Sequence, residues 1–391
     1  MNKKVFHPFY LGSYLLENRF VACPINLNLS QKGFVNLADI EFAARRAHSA
    51  PLTITGGLYV SENGKLFDYG ISISDDKYIY GLSKLASAMK SKHKLAVAQL
   101  IHAGSHSLAT LNEVGHTYGV SANFLEFPQP HKVLELSKMQ IEEIIKDYKN
   151  ATKRAIKAGF DGIEISCAQK LLPQQFFSCF YNKRNDEYGC STIENRSRFI
   201  LQVLEGVSQV IEEFATTDFI LGFRFTPEET RGDELGYTIE DFIDLFEIIF
   251  AKKIKLSYLA IASWGRSVFL NKVRSKGIYY NELVSKVVYQ YLNHRIPLII
   301  SGSINSAQKI NQASLYADLI GITSAFVANP EFAWDLEKGA KELDLSITDD
   351  KLKDLCIPPQ AFQKIFSYFS FGQSLPNKAE QILAQNAQKN K

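Results

Sequence analysis

The stretch AGFDGIEISCAQKLLPQQFFSCFYNKRNDEYGCSTIENRSRF, residues 158–199, decides how the rest of the chain is read. From Gln140 to Ala158 apolar residues fall at helical spacing, Gly159 stops the helix, and Gly162-Ile163-Glu164-Ile165 is extended. A helix that feeds a strand and then a long loop is one unit of an α/β fold. Side chains just past Ile165 then sit at a strand's carboxyl end, where barrels and open α/β sheets bind ligands. Ser166, Cys167 and Gln169 are therefore the first candidates for chemistry, with an ordinary strand-to-helix loop as the plain alternative.

The same unit recurs along the chain. Apolar runs bounded by turn residues predict strands near Phe20–Pro24, Pro51–Thr55, Leu95–Leu100, Gly162–Ile165, Phe219–Arg224, Leu256–Ile261, Leu298–Ser301 and Leu319–Ile322. Helical patterns alternate with them, near Leu37–Ser49, Gly81–Ser91, Gln140–Ala158, Ile193–Glu213, Thr238–Ala251, Asn281–Asn293 and Ser306–Ser314, with another after Pro330. Runs such as Leu298-Ile299-Ile300 are continuously apolar, as parallel strands buried on both faces require. Eight such units in 391 residues favour a closed (β/α)₈ TIM barrel over an open doubly wound sheet. The open sheet would carry a glycine-rich fingerprint after its first strand, and Cys23-Pro24-Ile25-Asn26 is not one. We read residues 1–343 as the barrel and 344–391 as a C-terminal helical extension or tail. An apolar island in it, Ile365–Phe369, is expected to pack on the barrel or on a second subunit of a homo-oligomer.

Composition narrows the partner. The chain is 46% apolar and 22% charged, with a formal net charge of +3 and no basic block, so neither nucleic acid nor an anionic membrane is implied and a small-molecule substrate is the better reading. Five cysteines without a CxxC pair argue against a disulfide framework and against a zinc or iron–sulfur site. The N-terminus lacks a signal-peptide core and no long uncharged apolar run occurs, which predicts a soluble cytoplasmic protein. His102, His106, His116 and His131 lie in or beside a long insertion, His102 to Pro130, without metal-type spacing; we read it as a solvated loop at the ligand face, with no metal. The charged cluster Asn182–Gly189 reads as loop structure, Cys167 as an inert small residue, and Trp264 and Arg266 as rim residues.

At the level of whole segments the chain resembles the old yellow enzyme family of FMN-dependent NAD(P)H oxidoreductases, in its bacterial NADH-dependent branch. The resemblance rests on LENRFVACP (Leu16–Pro24), ITGGLYVSENGK (Ile54–Lys65), the run Gly81–Gly104, the 158–199 stretch, LGFRFTPEE (Leu221–Glu229), PLIISGSI (Pro297–Ile304) and ADLIGITSAFVANPEF (Ala317–Phe332). It implies FMN as cofactor, with NADH or NADPH as reductant. It also implies that Cys23, Pro24 and Asn26 border the isoalloxazine ring, that Gly57 lets backbone approach it, and that Gln99 bonds its pyrimidine edge. Arg224 is implied to lie near N1 and O2, where reduced FMN carries negative charge; a strand-end salt bridge is the other reading of that arginine. Ser301, Gly302, Ser303, Thr323 and Ser324 are implied to form the phosphate site.

Four departures cluster at the mouth. The family's Gly-Arg becomes Thr323-Ser324, which exchanges a charged phosphate contact for hydroxyls at a cost of about 1.5–3 kcal/mol if nothing compensates. The two substrate-polarising donors of the family become Ser166 and Gln169, which still donate hydrogen bonds and are expected to be the catalytic pair. A family tyrosine that protonates substrate becomes Leu171, and the arginine closing the His-Ala-Gly-Arg motif becomes Ser105. Hydride transfer between nicotinamide and flavin needs orientation more than a protein acid, whereas alkene reduction normally needs both a carbonyl clamp and a proton donor. We expect NAD(P)H oxidation with an unidentified acceptor. The alternative is a barrel that binds FMN or another phosphorylated ligand without turnover. Flavin barrels acting on orotate or transfer RNA are disfavoured, because the loop that carries their catalytic thiol or base is not located in this sequence and the charge balance shows no RNA-binding stripe.

Overall fold

A computed structural model of the protein describes residues 3–90, 94–216, 218–263, 267–340 and 343–362. Eight parallel strands close into a barrel: β1 (Phe20–Ala22), β2 (Leu52–Ile54), β3 (Leu95–Ile101), β4 (Gly162–Cys167), β5 (Ile220–Phe225), β6 (Tyr258–Ile261), β7 (Leu298–Ile300) and β8 (Leu319–Ile322). Each pairs with the next, and Ile320 of β8 opposite Phe20 of β1 completes the ring. All eight predicted strands are present, and the (β/α)₈ reading holds.

Two apolar layers explain the closure. Val21, Leu52, Ile54, Val97, Ile220, Tyr258, Ala260, Ile299 and Leu319 point inward and fill the barrel; Leu11 and Leu16, from the hairpin Phe9–Leu11/Tyr14–Leu16, join that cluster and seal its amino-terminal end. Alternate residues of the same strands, among them Ile163, Ile165, Phe223 and Phe225, face the helix layer. That two-sided burial is why the strands are apolar throughout. The helices begin on local signals. Asn36 with Asp39, Ser137 with Gln140, and Thr238 with Asp241 form capping boxes, each worth about 1 kcal/mol of helix stability. Helix Lys138–Lys157 ends in Gly159 at φ +82, the left-handed stop its sequence announced.

The insertion after β3 is not the solvated loop expected. It holds a helix, Leu108–Val114, and a small sheet of Thr117–Gly119, His131–Glu135 and Asn123–Leu125. His102, His106 and His131 are buried within it. Polarity misled here because backbone carbonyls satisfy imidazole nitrogens inside the fold: His131 reaches the oxygens of Gln129 and Ser105 at 2.8 and 3.0 Å. Among the described residues no group of side chains is arranged to hold a metal ion, and no helix is long and apolar enough to cross a membrane.

Beyond 343, Ile347, Leu352, Leu355, Ile357 and Phe362 pack on Leu27, Phe42 and Val327 beside the barrel. The helical element described there is one 3-10 turn, Asp349–Lys351. The rest of the expected extension, including Ile365–Phe369, lies outside the described residues, as do Trp264 and Arg266.

Candidate active site

Above the apolar interior, at the carboxyl ends of the strands, one polar hub spans the barrel. The parallel register sets Glu164 of β4 opposite Gln99 of β3, and Ser166 opposite Arg224 of β5. Glu164, fully buried, accepts from Arg224 Nε (2.7 Å) and Nη2 (3.1 Å), from Gln99 Nε2 (2.7 Å) and from the Tyr258 hydroxyl (3.1 Å). Gly222 permits the last bond, since a Cβ there would overlap the Tyr258 phenol. Burial alone works against the charge of Arg224, but the carboxylate beside it outweighs that penalty and holds its pKa above the ordinary value. The arginine is thus both the salt bridge and the cavity residue that its sequence position allowed. Glu164 takes two guanidinium nitrogens and leaves Nη1 outside the pair, and Gln99 keeps Oε1 without a protein partner among the described residues.

These groups form the floor of a cavity of about 550 Å³. Every residue expected to border a cofactor lines it: Cys23, Pro24 and Asn26 after β1, Gly57 after β2, Gln99, Arg224, then Ser301, Gly302 and Ser303 after β7 and Thr323 and Ser324 after β8. Asn26 Nδ2 donates to the Gly57 carbonyl at 3.2 Å and ties two of these loops together. Burial raises the pKa of the Cys23 thiol despite the nearby guanidinium, so this sulfur sits under the floor as a neutral wall. At the far end Gly302 takes φ +118, and a Cβ there would meet Val268 at 2.7 Å, so the turn requires glycine. The hydroxyls of Ser303, Thr323 and Ser324 have no protein partner among the described residues, and Lys309 Nζ donates to the Ser303 carbonyl at 2.8 Å. That end therefore offers free hydroxyl donors with a cation one hydrogen bond away.

At the mouth the two expected catalytic positions separate. Gln169 is exposed, stands at φ +55 and lines the cavity. Ser166 does not reach the wall: its residue is buried and its Oγ has no hydrogen-bond partner. The serine side chain is too short to climb out of the layer in which the strand register holds it. Leu171 does line the cavity, packed with Tyr59, Ile101 and Ala103. Cys167 faces the helix layer, where burial pushes its thiol up, in keeping with an inert role.

His106 is a titratable wall residue that sequence reasoning missed. It lines the cavity, with Nε2 3.4 Å from the Tyr181 hydroxyl and Nδ1 buried without a partner. The signal lay in its neighbours, for Ala103, Leu108 and Ala109 mark the segment as one that turns inward. Burial, with smaller repulsions from Lys170, His131 and Arg231, lowers its pKa to about 3; burial alone does the same for His102. His102 accepts from the Gly104 N–H and faces Asn63 Oδ1. Between the unfolded value near 6.5 and about 3 the native state binds fewer protons than the unfolded chain at these two sites, so stability falls as pH falls through that window. The two histidines are expected to remove on the order of 2 kcal/mol each by pH 5. Urea midpoints measured from pH 7.5 to 5 check this, and a His102→Asn, His106→Asn variant should show a visibly flatter profile.

Against known proteins, the description NADH:flavin oxidoreductase / NADH oxidase family matches residues 4–342. The chain is 48% identical over 382 residues to an uncharacterized oxidoreductase of Streptococcus pyogenes serotype M5, spanning 97% of this chain and 95% of that one. It is 31% identical over 322 residues to NADH:acrylate oxidoreductase of Vibrio harveyi, spanning 81% of this chain but only 31% of that longer protein. In fold it matches an old yellow enzyme homologue from Zymomonas mobilis with a TM-score of 0.73 at 22% identity, covering 94% and 99% of the two chains.

Proposed function

Because this chain belongs to the NADH:flavin oxidoreductase / NADH oxidase family, whose members use FMN with NAD(P)H as reductant, we propose that it holds FMN over the Gln99–Arg224 floor and oxidises NAD(P)H with an acceptor that needs no protein acid. One observation carries the reading: a guanidinium and an amide from different strands are both anchored at 2.7 Å on a single carboxylate at the floor of a cavity of ligand size.

The residues present fit the cofactor. The isoalloxazine pyrimidine edge alternates acceptors with one N–H donor; Arg224 Nη1 supplies a donor and Gln99 Oε1 an acceptor. Around a phosphate, Ser303, Thr323 and Ser324 supply hydroxyl donors, and Lys309 supplies the positive charge that Thr323-Ser324 lack. When bound, FMN accepts and releases a hydride at its ring. Arg224 would hold a guanidinium beside that ring, and Glu164 keeps the guanidinium from swinging away. Gln169 stands at the mouth as a hydrogen-bond donor.

Proton supply is what separates the acceptor classes at this site. Leu171 has no proton to give. His106 carries none to spare at neutral pH, since burial keeps its ring uncharged. Burial raises the pKa of the Tyr59 phenol, whose hydroxyl lies close to the Gly33 backbone, so it gives up its proton reluctantly. Dioxygen, a quinone or a free flavin takes electrons without a positioned protein acid, and these are the acceptor classes we assign. The protein reconstituted with FMN is expected to consume NAD(P)H in air or with a quinone, with little extra consumption when cyclohexenone is added. Rapid enone reduction would contradict the proposal. Protein that stays colourless after incubation with FMN would instead mark a barrel without flavin chemistry.

A further inference from the structure

Behind the cavity wall lies a second cluster that the flavin reading does not use. The loop after β4 leaves the helix Leu172–Phe177 at Ser178 and returns to the helix Ile193–Phe214 through Cys190. Its middle is braced from inside. Asn182 Nδ2 donates to the carbonyls of Phe176 and Tyr188 at 2.7 Å each, and Arg184 donates to those of Val120 and Leu136 at 3.1 and 2.6 Å. This bracing brings together Cys179 and Cys190, eleven residues apart. Cys179 Sγ lies 3.7 Å from the Cys190 carbonyl, to which it donates, and Cys190 Sγ donates to the Asn182 carbonyl at 3.2 Å, so the two half-exposed thiols sit in one cluster.

Arg196 completes the cluster. Its Nη2 touches Cys179 Sγ at 2.5 Å and the Cys190 carbonyl at 3.2 Å, while Nη1 pairs with Asp241 at 3.1 Å. The arginine is buried, whereas both cysteines are half-exposed. Buried cation, paired thiols and solvent access are the conditions that make a thiol reactive.

We propose that Cys179 and Cys190 form a reversible dithiol site that hydroperoxides oxidise to a disulfide. The thiolate of the pair attacks one peroxide oxygen; an S–O bond forms, the O–O bond breaks, and the departing oxygen leaves as water after taking a proton. The second sulfur then attacks the sulfenic sulfur, the S–S bond forms, the S–O bond breaks, and the hydroxide leaves as water with the second thiol's proton. Two thiols are oxidised and one hydrogen peroxide becomes two waters. Arg196 stabilises the thiolate. The neighbouring Cys179 thiol, and then this cation, bring the Cys190 thiol below the ordinary thiol range. The inference is independent of turnover at the barrel mouth. The site nevertheless lies two residues from Tyr181, whose hydroxyl faces His106 in the cavity wall.

The test uses the full chain, reduced and freed of reductant, exposed to one equivalent of hydrogen peroxide. Thiol titration should show two thiols lost, and non-reducing peptide mapping should show Cys179 joined to Cys190 by a 2 Da mass loss that dithiothreitol reverses. Cys356, also half-exposed but without a thiol partner among the described residues, is the internal reference. The pair is expected to react roughly tenfold or more faster, and Arg196→Gln should bring its rate close to that reference. In Cys179→Ser, Cys190 should stop at a sulfenic acid that dimedone traps. Oxidation of Cys356 at the same rate as the pair in the unaltered chain would overturn the proposal, as would products in which Cys179 and Cys190 go to sulfinic acid without joining. Neither readout requires a variant to fold.

Discussion

Arg224→Met is expected to produce both the largest loss of flavin affinity and the largest loss of stability of any single change in the site. The first loss follows from charge. Removing a guanidinium that donates charge-assisted hydrogen bonds to the cofactor costs about 1.5–3 kcal/mol, or one to two decades in Kd for FMN, read from the quenching of flavin fluorescence on binding. The second follows from what stays behind. Glu164, fully buried, would be left with only Gln99 and Tyr258 as donors. Breaking a buried pair from one side costs roughly 3–5 kcal/mol, because a buried charge is left uncompensated. The two effects separate in the double variant Arg224→Met, Glu164→Leu, which buries no charge. It is expected to regain most of the unfolding free energy while FMN affinity stays low. Recovery of both together would mean that Arg224 acts on the flavin only by keeping the barrel folded.

Leu171→Tyr is expected to raise FMN-dependent enone reduction by on the order of 10²-fold, the lower end of what a positioned general acid contributes. Leu171 lines the cavity, so the larger ring can extend into open space instead of the core. NAD(P)H oxidation by dioxygen should change little, since no protein proton enters it. Leu171→Phe provides the comparison, with the same ring and nothing to donate. If tyrosine and phenylalanine raise cyclohexenone turnover equally, the missing proton is not what limits the site, and the acceptor assignment made above loses its chemical basis.

The fold was largely legible because its signals are local. Continuous apolar runs report strands buried on both faces, and caps such as Asn36, Ser137 and Thr238 report helix starts. Gly159 reports a stop. None of these needs a distant residue. The positions that the motif resemblance assigned to a cofactor all line one cavity. Sequence reasoning failed where burial and orientation depend on partners elsewhere in the chain. His106 looked like a residue of a solvated loop until a small sheet folded the insertion inward. Ser166, read as a substrate donor, has its hydroxyl buried without a partner. Cys179 and Cys190 looked unrelated until Asn182 and Arg184 braced the loop between them.

Taken alone, the order and period of residues determined an alternating chain of eight strands and the segments that meet a ligand at their carboxyl ends. Only the closed barrel decided that Glu164 is the centre of the site. Its partners Gln99, Arg224 and Tyr258 lie 65, 60 and 94 residues away, and their contacts exist because ring closure turns three separate strands toward one buried carboxylate. Periodicity tells each strand which face to bury; the identity of the group waiting on that face is set by the register of its neighbours.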